Sequence, residues 1–133
     1  MIAGVADAHT ALWYLFGDVR LSDGAHAFID EAAAAGRQIA ISSISVAEVV
    51  YLVEKKRLSV AAYDALVRVL ADPEHIFTEA AFTVAVAESM RQVSRAEVPD
   101  LPDRMIAATA VYFDVPVLSR DQLIRAANLK TIW

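Results

Sequence analysis

The stretch from Pro99 to Phe113 constrains the fold of this chain more than any other feature. It opens with Pro and Asp residues, as helix starts often do, and every residue after Arg104 is apolar or Thr. Pro102 suits the first helical position, because a backbone N–H would have no partner there. A helix that is apolar on every side lies inside a domain. The sequence therefore predicts a buried central helix with Asp103 at its entrance.

A carboxylate at the edge of a core is costly unless a cation meets it. Three further acids have comparable positions. Asp7 directly follows the apolar run 2–6, Glu48 is embedded in an apolar segment, and Asp121 comes three residues after Leu118. We hypothesise that these three acids and the acid of the central helix form one metal site.

Short apolar runs alternate with helical segments along the chain, which favours an α/β fold of three α/β/α layers around a short, mostly parallel sheet. The predicted strands are 2–6, 39–41, 75–78, 115–118 and 131–132. The predicted helices are 8–16, 22–35, 45–56, 59–70, 80–93, 102–113 and 121–127. Strand carboxyl ends and helix N-termini meet at one edge of such a sheet, so four acids from separate segments can converge.

Composition narrows the class of protein further. The 133 residues show no linker or repeat, which predicts a single domain over 1–133. The chain is 57% apolar but has no run of about 18 apolar residues, so we expect no membrane association. It has no Cys, which excludes thiolate catalysis and Cys-ligated zinc. The first residues lack a signal-peptide pattern, so we expect a cytoplasmic protein. The apolar excess predicts an obligate partner or oligomer.

Net charge does not identify the ligand. The value of −5 gives no support to a nucleic-acid substrate, since binders of nucleic acid are usually basic. Divalent cations held by the four acids would nevertheless leave the remaining charges nearly balanced. Oxygen-only ligands suit Mg²⁺, with Mn²⁺ as the second candidate. The three His residues lack ligand spacing.

Each acid also has an ordinary interpretation as a helix cap. Asp7 and Asp121 precede predicted helices, and Asp100 and Asp103 begin the central one. Ser45-Val-Ala-Glu48 matches a capping box, in which the acid reaches back to the first residue of the helix. Caps need not lie together, whereas metal ligands must. The capping interpretation therefore stays open for each acid alone and is weaker for all four together.

Four segments resemble the ordered motifs of PIN-domain proteins, and the VapC toxin group of type II toxin–antitoxin systems in particular. These segments are Val5-Ala-Asp-Ala-His-Thr-Ala-Leu-Trp13, Ile41-Ser-Ser-Ile-Ser-Val-Ala-Glu48, Asp100-Leu-Pro-Asp-Arg-Met-Ile-Ala-Ala-Thr-Ala110 and Val117-Leu-Ser-Arg-Asp121. The resemblance covers nearly the whole chain. Ala8 departs from the family, which often has Thr or Ser there, and Ser119 stands where Thr is frequent.

The resemblance implies a Mg²⁺-dependent endoribonuclease toxin that hydrolyses RNA, such as tRNA, with metal-activated water. It implies catalytic and metal-binding roles for the acidic quartet Asp7, Glu48, Asp103 and Asp121. We add Asp100 and Ser119 as supporting residues around the metal, and Arg104 and Arg120 as candidate phosphate contacts. The implied partner is a small VapB-type antitoxin, and we expect a homodimer within the toxin–antitoxin complex.

Two other functions fit parts of the pattern. A catalytically silent PIN-like module would bind RNA or protein without cutting, although its acids would then have no catalytic reason to be intact. A phosphoacceptor receiver domain has similar size and layering, but needs paired acids after the first strand and a late Lys. Asp7 has no acidic neighbour, and Lys130 is the only late Lys.

Overall fold

The computed structural model describes residues 1–133 and contains one five-stranded parallel sheet. The strands are β1 (Ile2–Ala6), β2 (Gln38–Ser42), β3 (Phe77–Ala80), β4 (Val117–Leu118) and β5 (Thr131–Ile132). Across the sheet they lie in the order β3-β2-β1-β4-β5. The chain therefore builds outward from β1 on one side and then on the other. Ligand clefts of open parallel sheets form at such a reversal of strand order.

Seven α-helices and one short 3₁₀ turn connect the strands. The helices are α1 (Ala8–Phe16), α2 (Asp23–Ala34), α3 (Ser43–Glu54), α4 (Val60–Leu70), α5 (Val84–Ser89), α6 (Leu101–Phe113) and α7 (Gln122–Ala126). The 3₁₀ turn Met90–Gln92 follows α5 directly. No helix combines the length and apolarity needed to cross a bilayer.

The sheet separates two hydrophobic clusters, and β2 shows how one strand supplies both. Ile39 and Ile41 pack with buried residues of α1, α2, α3 and α4, whereas Ala40 between them packs with α6 and α7. Side chains alternate between the faces of a strand, so a run that is apolar throughout can serve two layers. The predicted three-layer α/β/α fold with a parallel sheet is confirmed.

The central helix α6 is buried in its middle rather than along its whole length. Ile106 to Ala110 are buried, but Tyr112 and Phe113 are exposed in the last turn. The prediction of burial on every side is wrong there, because the last turn of the helix extends beyond the neighbouring core. The helix begins one residue before Pro102.

Helix α3 begins two residues earlier than predicted. Its N-cap is Ser42, whose hydroxyl accepts a hydrogen bond from the amide of Ile44 at 3.2 Å. The alternative interpretation of Ser45 and Glu48 as a capping box is therefore wrong, and the Ser45 hydroxyl is buried without a hydrogen-bond partner. The physical reason is that β2 runs straight into the helix, so the last strand residue supplies the cap.

The predicted boundary between the third strand and the fifth helix is also wrong. Ala80 was predicted to begin a helix but ends β3, where it pairs with Ser42 of β2. Helix α5 begins at Val84, with the hydroxyl of Thr83 as its cap. Pairing with the neighbouring strand overrides the helix preference of the Ala-rich segment.

Candidate functional site

An open cleft of about 450 Å³ lies at the carboxyl edge of the sheet, beside β1 and β4. The structure brings all four predicted metal ligands to this cleft. Its lining residues are Asp7, Ala8, His9, Trp13, Glu48, Asp100, Asp103, Ile106, Arg120 and Asp121. Asp7 follows β1, Asp121 follows β4, and Asp100 and Asp103 lie at the start of α6. Glu48 lies in the second turn of α3, because that helix begins at Ser43. Five acids therefore face one volume.

Asp7 acts as a helix cap and also faces the cleft. One carboxylate oxygen, Oδ1, accepts a hydrogen bond from the amide of Thr10 at 3.0 Å and caps α1. The other, Oδ2, accepts one from the hydroxyl of Ser119 at 2.6 Å. The Ser119 hydroxyl in turn accepts from the amide of Asp121 at 3.0 Å. This chain of hydrogen bonds ties the end of β1 to the segment after β4, and Ser119 is fully buried within it.

Two other acids are caps as well. Asp121 Oδ1 accepts from the amides of Leu123 and Ile124 at 2.9 and 3.1 Å, at the start of α7. Asp100 Oδ1 accepts from the amide of Asp103 at 3.1 Å, at the start of α6. The second oxygen of each carboxylate makes no hydrogen bond. The capping interpretation therefore holds for Asp7, Asp100 and Asp121, and it leaves acceptor oxygens available in the cleft.

The remaining two acids, Glu48 and Asp103, accept no hydrogen bond through their side chains, and both are half-buried. Burial raises the pKa of Glu48 above its ordinary value, and the charges of Asp7 and Asp100 raise it further. Burial likewise raises the pKa of Asp103 to about 7, with contributions from the four other acids of the cleft. Both carboxylates are thus destabilised in their charged form.

These residues fit a hard divalent cation. The donors are carboxylate oxygens, and none of the five acids is ion-paired with a Lys or Arg. No three of the acids are already arranged as a ligand set. A cation can still be bound without a ready-made ligand set, because Glu48 and Asp103 make no side-chain hydrogen bonds. Their carboxylates can turn toward a cation without breaking any.

The two candidate phosphate contacts have different surroundings. Arg104 donates from its guanidinium to the carbonyls of Val93 and Met90 at 3.0 and 2.8 Å, so it fastens α6 to the segment after α5. It does not line the cleft. Arg120 does line the cleft, is exposed, and makes no hydrogen bond or ion pair through its side chain.

Two residues that line this cleft, His9 and Trp13, were not among the predicted site residues. They are four residues apart on α1, so they lie on one helix face, and their ring centroids are 5.7 Å apart. Both residues lie on the helix that Asp7 caps, and this closeness to Asp7 was the signal in the sequence that could have indicated them. The sequence could not show that α1 turns this face toward Arg120, because that depends on packing between distant segments.

The strand order and the acids together define a class: parallel α/β domains with an acidic cleft at the carboxyl edge of the sheet. A family model described as "PIN domain" matches residues 5–129. The chain belongs to the PIN-domain family. PIN domains are generally nucleases that use divalent metal ions. Among curated proteins, none matches this sequence.

Solved structures share the fold at low sequence identity. VapBC2 from Rickettsia felis, bound to a promoter DNA fragment, aligns with TM-score 0.70 at 18% identity, covering 98% of this chain and 97% of that one. DNA-bound VapBC from Salmonella typhimurium aligns with TM-score 0.67 at 19% identity, with the same coverage. A FitAB-type complex from Neisseria gonorrhoeae aligns with TM-score 0.58 at 21% identity, covering 96% and 95%.

Proposed function

We propose that this PIN domain is a metal-dependent endoribonuclease toxin of a type II toxin–antitoxin system, with residues 1–133 forming its single domain. The observation that carries the proposal is the environment of Asp103. This carboxyl group is half-buried among four other acids and has no cationic partner, so its pKa is raised to about 7. A stable fold gains nothing from such an arrangement, whereas a metal-dependent nuclease requires it.

Asp7, Glu48, Asp103 and Asp121 would hold Mg²⁺ or Mn²⁺, and Asp100 would add negative charge beside them. When bound, such an ion lowers the pKa of water and neutralises charge on a phosphoryl group. The Ser119 hydroxyl fixes the orientation of the Asp7 carboxylate through its 2.6 Å hydrogen bond. Arg120, the free cation of the cleft, would contact the substrate phosphate. Arg104 has no place in this proposal, because its guanidinium is used elsewhere.

The reaction proposed is hydrolysis of an RNA phosphodiester. The water oxygen bonds to phosphorus, the bond from phosphorus to O3′ breaks, and a proton passes to O3′. The products are a 5′-phosphate and a 3′-hydroxyl, with no covalent enzyme intermediate.

The direct test is a cleavage assay on total RNA and tRNA with purified, antitoxin-free protein, with and without Mg²⁺, followed by sequencing of the RNA ends. Asp7→Asn and Asp103→Asn should each abolish cleavage while leaving the protein folded. If the acids are only caps, both variants stay active. A wild-type protein that binds RNA without cutting it in Mg²⁺ would instead be the silent binding module.

The proposed partner is a small VapB-type antitoxin. The structures of similar fold are toxin–antitoxin complexes, and large apolar side chains remain uncovered on α1 and α3. Phe16 and Tyr51 are 57% and 56% exposed. A partner helix could cover them with apolar residues spaced three and four apart.

A homodimer could use the same residues, so the two partners must be separated by experiment. Expression of the chain alone in the cytoplasm of a host cell should be toxic, and co-expression with the antitoxin should be tolerated. Replacing Phe16 with Ser should weaken antitoxin binding. If antitoxin affinity is unchanged while the homodimer dissociates, this surface belongs to the dimer.

A further inference from the structure

A group of aromatic rings lies at the mouth of the acidic cleft, and these rings have no part in the proposed reaction. Trp13 is its centre. Its ring centroid is 5.7 Å from that of His9 and 6.0 Å from that of Trp133. The guanidinium carbons of Arg20 and Arg120 lie 5.0 and 5.7 Å from the Trp13 ring. We call these five residues the Trp13 platform.

The platform continues from the acidic cleft into a second hollow of about 270 Å³ beside α1. His9 and Trp13 line both spaces. The second hollow is also lined by Arg20, Arg57 and Asp18, which pairs with Arg20, so its charged side chains leave one net positive charge. A strand leaving the acidic cleft in this direction would therefore pass an aromatic surface and then positive charge.

The two Arg residues of the platform are held differently. Arg20 is fixed by Asp18, to which its Nε and a terminal nitrogen donate at 3.0 and 2.7 Å. These hydrogen bonds lower the pKa of Asp18 to about 2. Arg120 has no such partner and is exposed. Its contact with Trp13 can therefore be exchanged for another planar group without breaking a hydrogen bond.

We propose that Trp13 stacks against an unpaired nucleobase next to the scissile phosphate, while Arg120 contacts the backbone phosphate. This inference rests on the proposed nuclease function and assigns Trp13 as the residue that positions the nucleotide beside the cleavage site. Aromatic rings beside cationic side chains are the usual means of holding single strands, and the stacking is tolerant of base identity. In a duplex the base is already stacked and cannot reach the ring.

The charges at the platform favour RNA over a protein partner. A peptide that enters a cluster of five acids would do so with Lys or Arg side chains. At the platform the same peptide would meet Arg120, whose charge has no ion-pair partner and repels cations, whereas Arg20 is neutralised by Asp18. An RNA backbone is attracted there, and its base supplies the planar face for Trp13.

The first experiment uses Trp13 as its own reporter. The Trp133→Phe variant leaves Trp13 as the single tryptophan of the chain. This variant is titrated in Ca²⁺ with an adenylate oligoribonucleotide of about ten nucleotides, and a gel confirms that the RNA stays intact. We expect saturable quenching of Trp13 emission. An oligonucleotide of the same length with abasic sugars should quench little, and a blunt RNA duplex should quench less than the single strand.

The second experiment measures affinity of the same probes for variants. Trp13→Leu should weaken adenylate binding about tenfold and leave abasic binding unchanged, whereas Trp13→Phe should retain most of the affinity. Arg120→Gln should weaken binding of both probes. Tyr112→Leu is the matched control, since Tyr112 is an exposed aromatic residue on α6 outside the cleft. Thermal melting checks that each variant is folded.

Any result that differs from those expected in the two experiments overturns the proposal. If Trp13→Leu weakens both probes equally, Trp13 only holds Arg120 in place and does not stack on a base. If Trp13→Leu weakens the binding of neither probe, and Trp13 emission is not quenched, the platform does not bind RNA and a protein partner is its candidate ligand. Failure of the nuclease proposal is seen separately, as wild-type protein that does not cut RNA in Mg²⁺.

Discussion

Replacing Asp103 with Asn should stabilise the protein in the absence of divalent cations. The pKa of Asp103 is raised from 3.8 to about 7. A shift of this size corresponds to about 4 kcal/mol against the charged form if the group were fully buried. Asp103 is only half-buried, so solvent screening reduces this to about 2 kcal/mol. The loss of a favourable acid in the first helical turn offsets about 0.5 kcal/mol of the gain.

The stability gain of the Asp103→Asn variant over wild type should increase with pH. Well below pH 3.8 the carboxyl is protonated in both the folded and the unfolded chain, so it carries no penalty. As pH rises toward 7 the unfolded chain ionises first, and the wild-type protein loses stability. The advantage of the Asn variant should therefore be small below about pH 3 and complete at about pH 8, where it should be about 1–2 kcal/mol.

Urea unfolding in EDTA at several pH values measures this difference. Asp23→Asn is the matched control, because Asp23 is an acid in the first turn of α2 and does not line the cleft. Mg²⁺ should reverse the order, since a ligand at a hundredfold excess over its Kd stabilises the wild-type protein by about 2.7 kcal/mol. A variant that is no more stable than wild type at pH 8, or whose advantage is the same at every pH, would refute the reasoning.

Three further predictions concern the fold around the site. Ser119→Ala should cost about 1–3 kcal/mol in urea unfolding, because it removes a buried hydroxyl bonded to Asp7, and cleavage should slow in parallel. Gly4→Ala should destabilise by more than about 1 kcal/mol, since its Cβ would lie 2.8 Å from a methyl carbon of Leu118; unfolding at the wild-type urea midpoint would contradict this. Phe16→Ser should leave the melting temperature within about 2 °C of wild type, because the residue is exposed.

The sequence predicted the bounds of a helix correctly where only one residue could serve as its cap and only one could end it. Helix α1 was predicted with its observed bounds, because Asp7 is its only nearby cap and Gly17 ends it with a positive φ of 61°. Helix α3 was not, because Ser42, Ser43 and Ser45 are all acceptable caps. The choice among them depends on where β2 stops pairing with its neighbours, which is a property of the sheet.

The same distinction applies to the site. The sequence could place the acids at one edge, because the carboxyl ends of parallel strands meet there. It could not show that Arg104 points away from the cleft, since the carbonyls that hold it come from the segment after α5. The Trp13 platform was missed for a related reason: Trp13 and Arg120 are brought together only by the adjacency of β1 and β4.

Asp7 is both a helix cap and a carboxylate of the cleft, so replacing it changes the amount of protein in the cell as well as the cleft. An Ala at this position removes a cleft carboxylate and also the cap that accepts the Thr10 amide. The lost cap costs about 1 kcal/mol, which lowers the ratio of folded to unfolded protein about fivefold. Quality-control proteases act on the unfolded fraction, so less of an Ala variant should accumulate. A toxicity assay of the proposed function would count that loss together with the missing carboxylate. Asn keeps the cap, and the amount of protein in the cell should then stay near that of wild type.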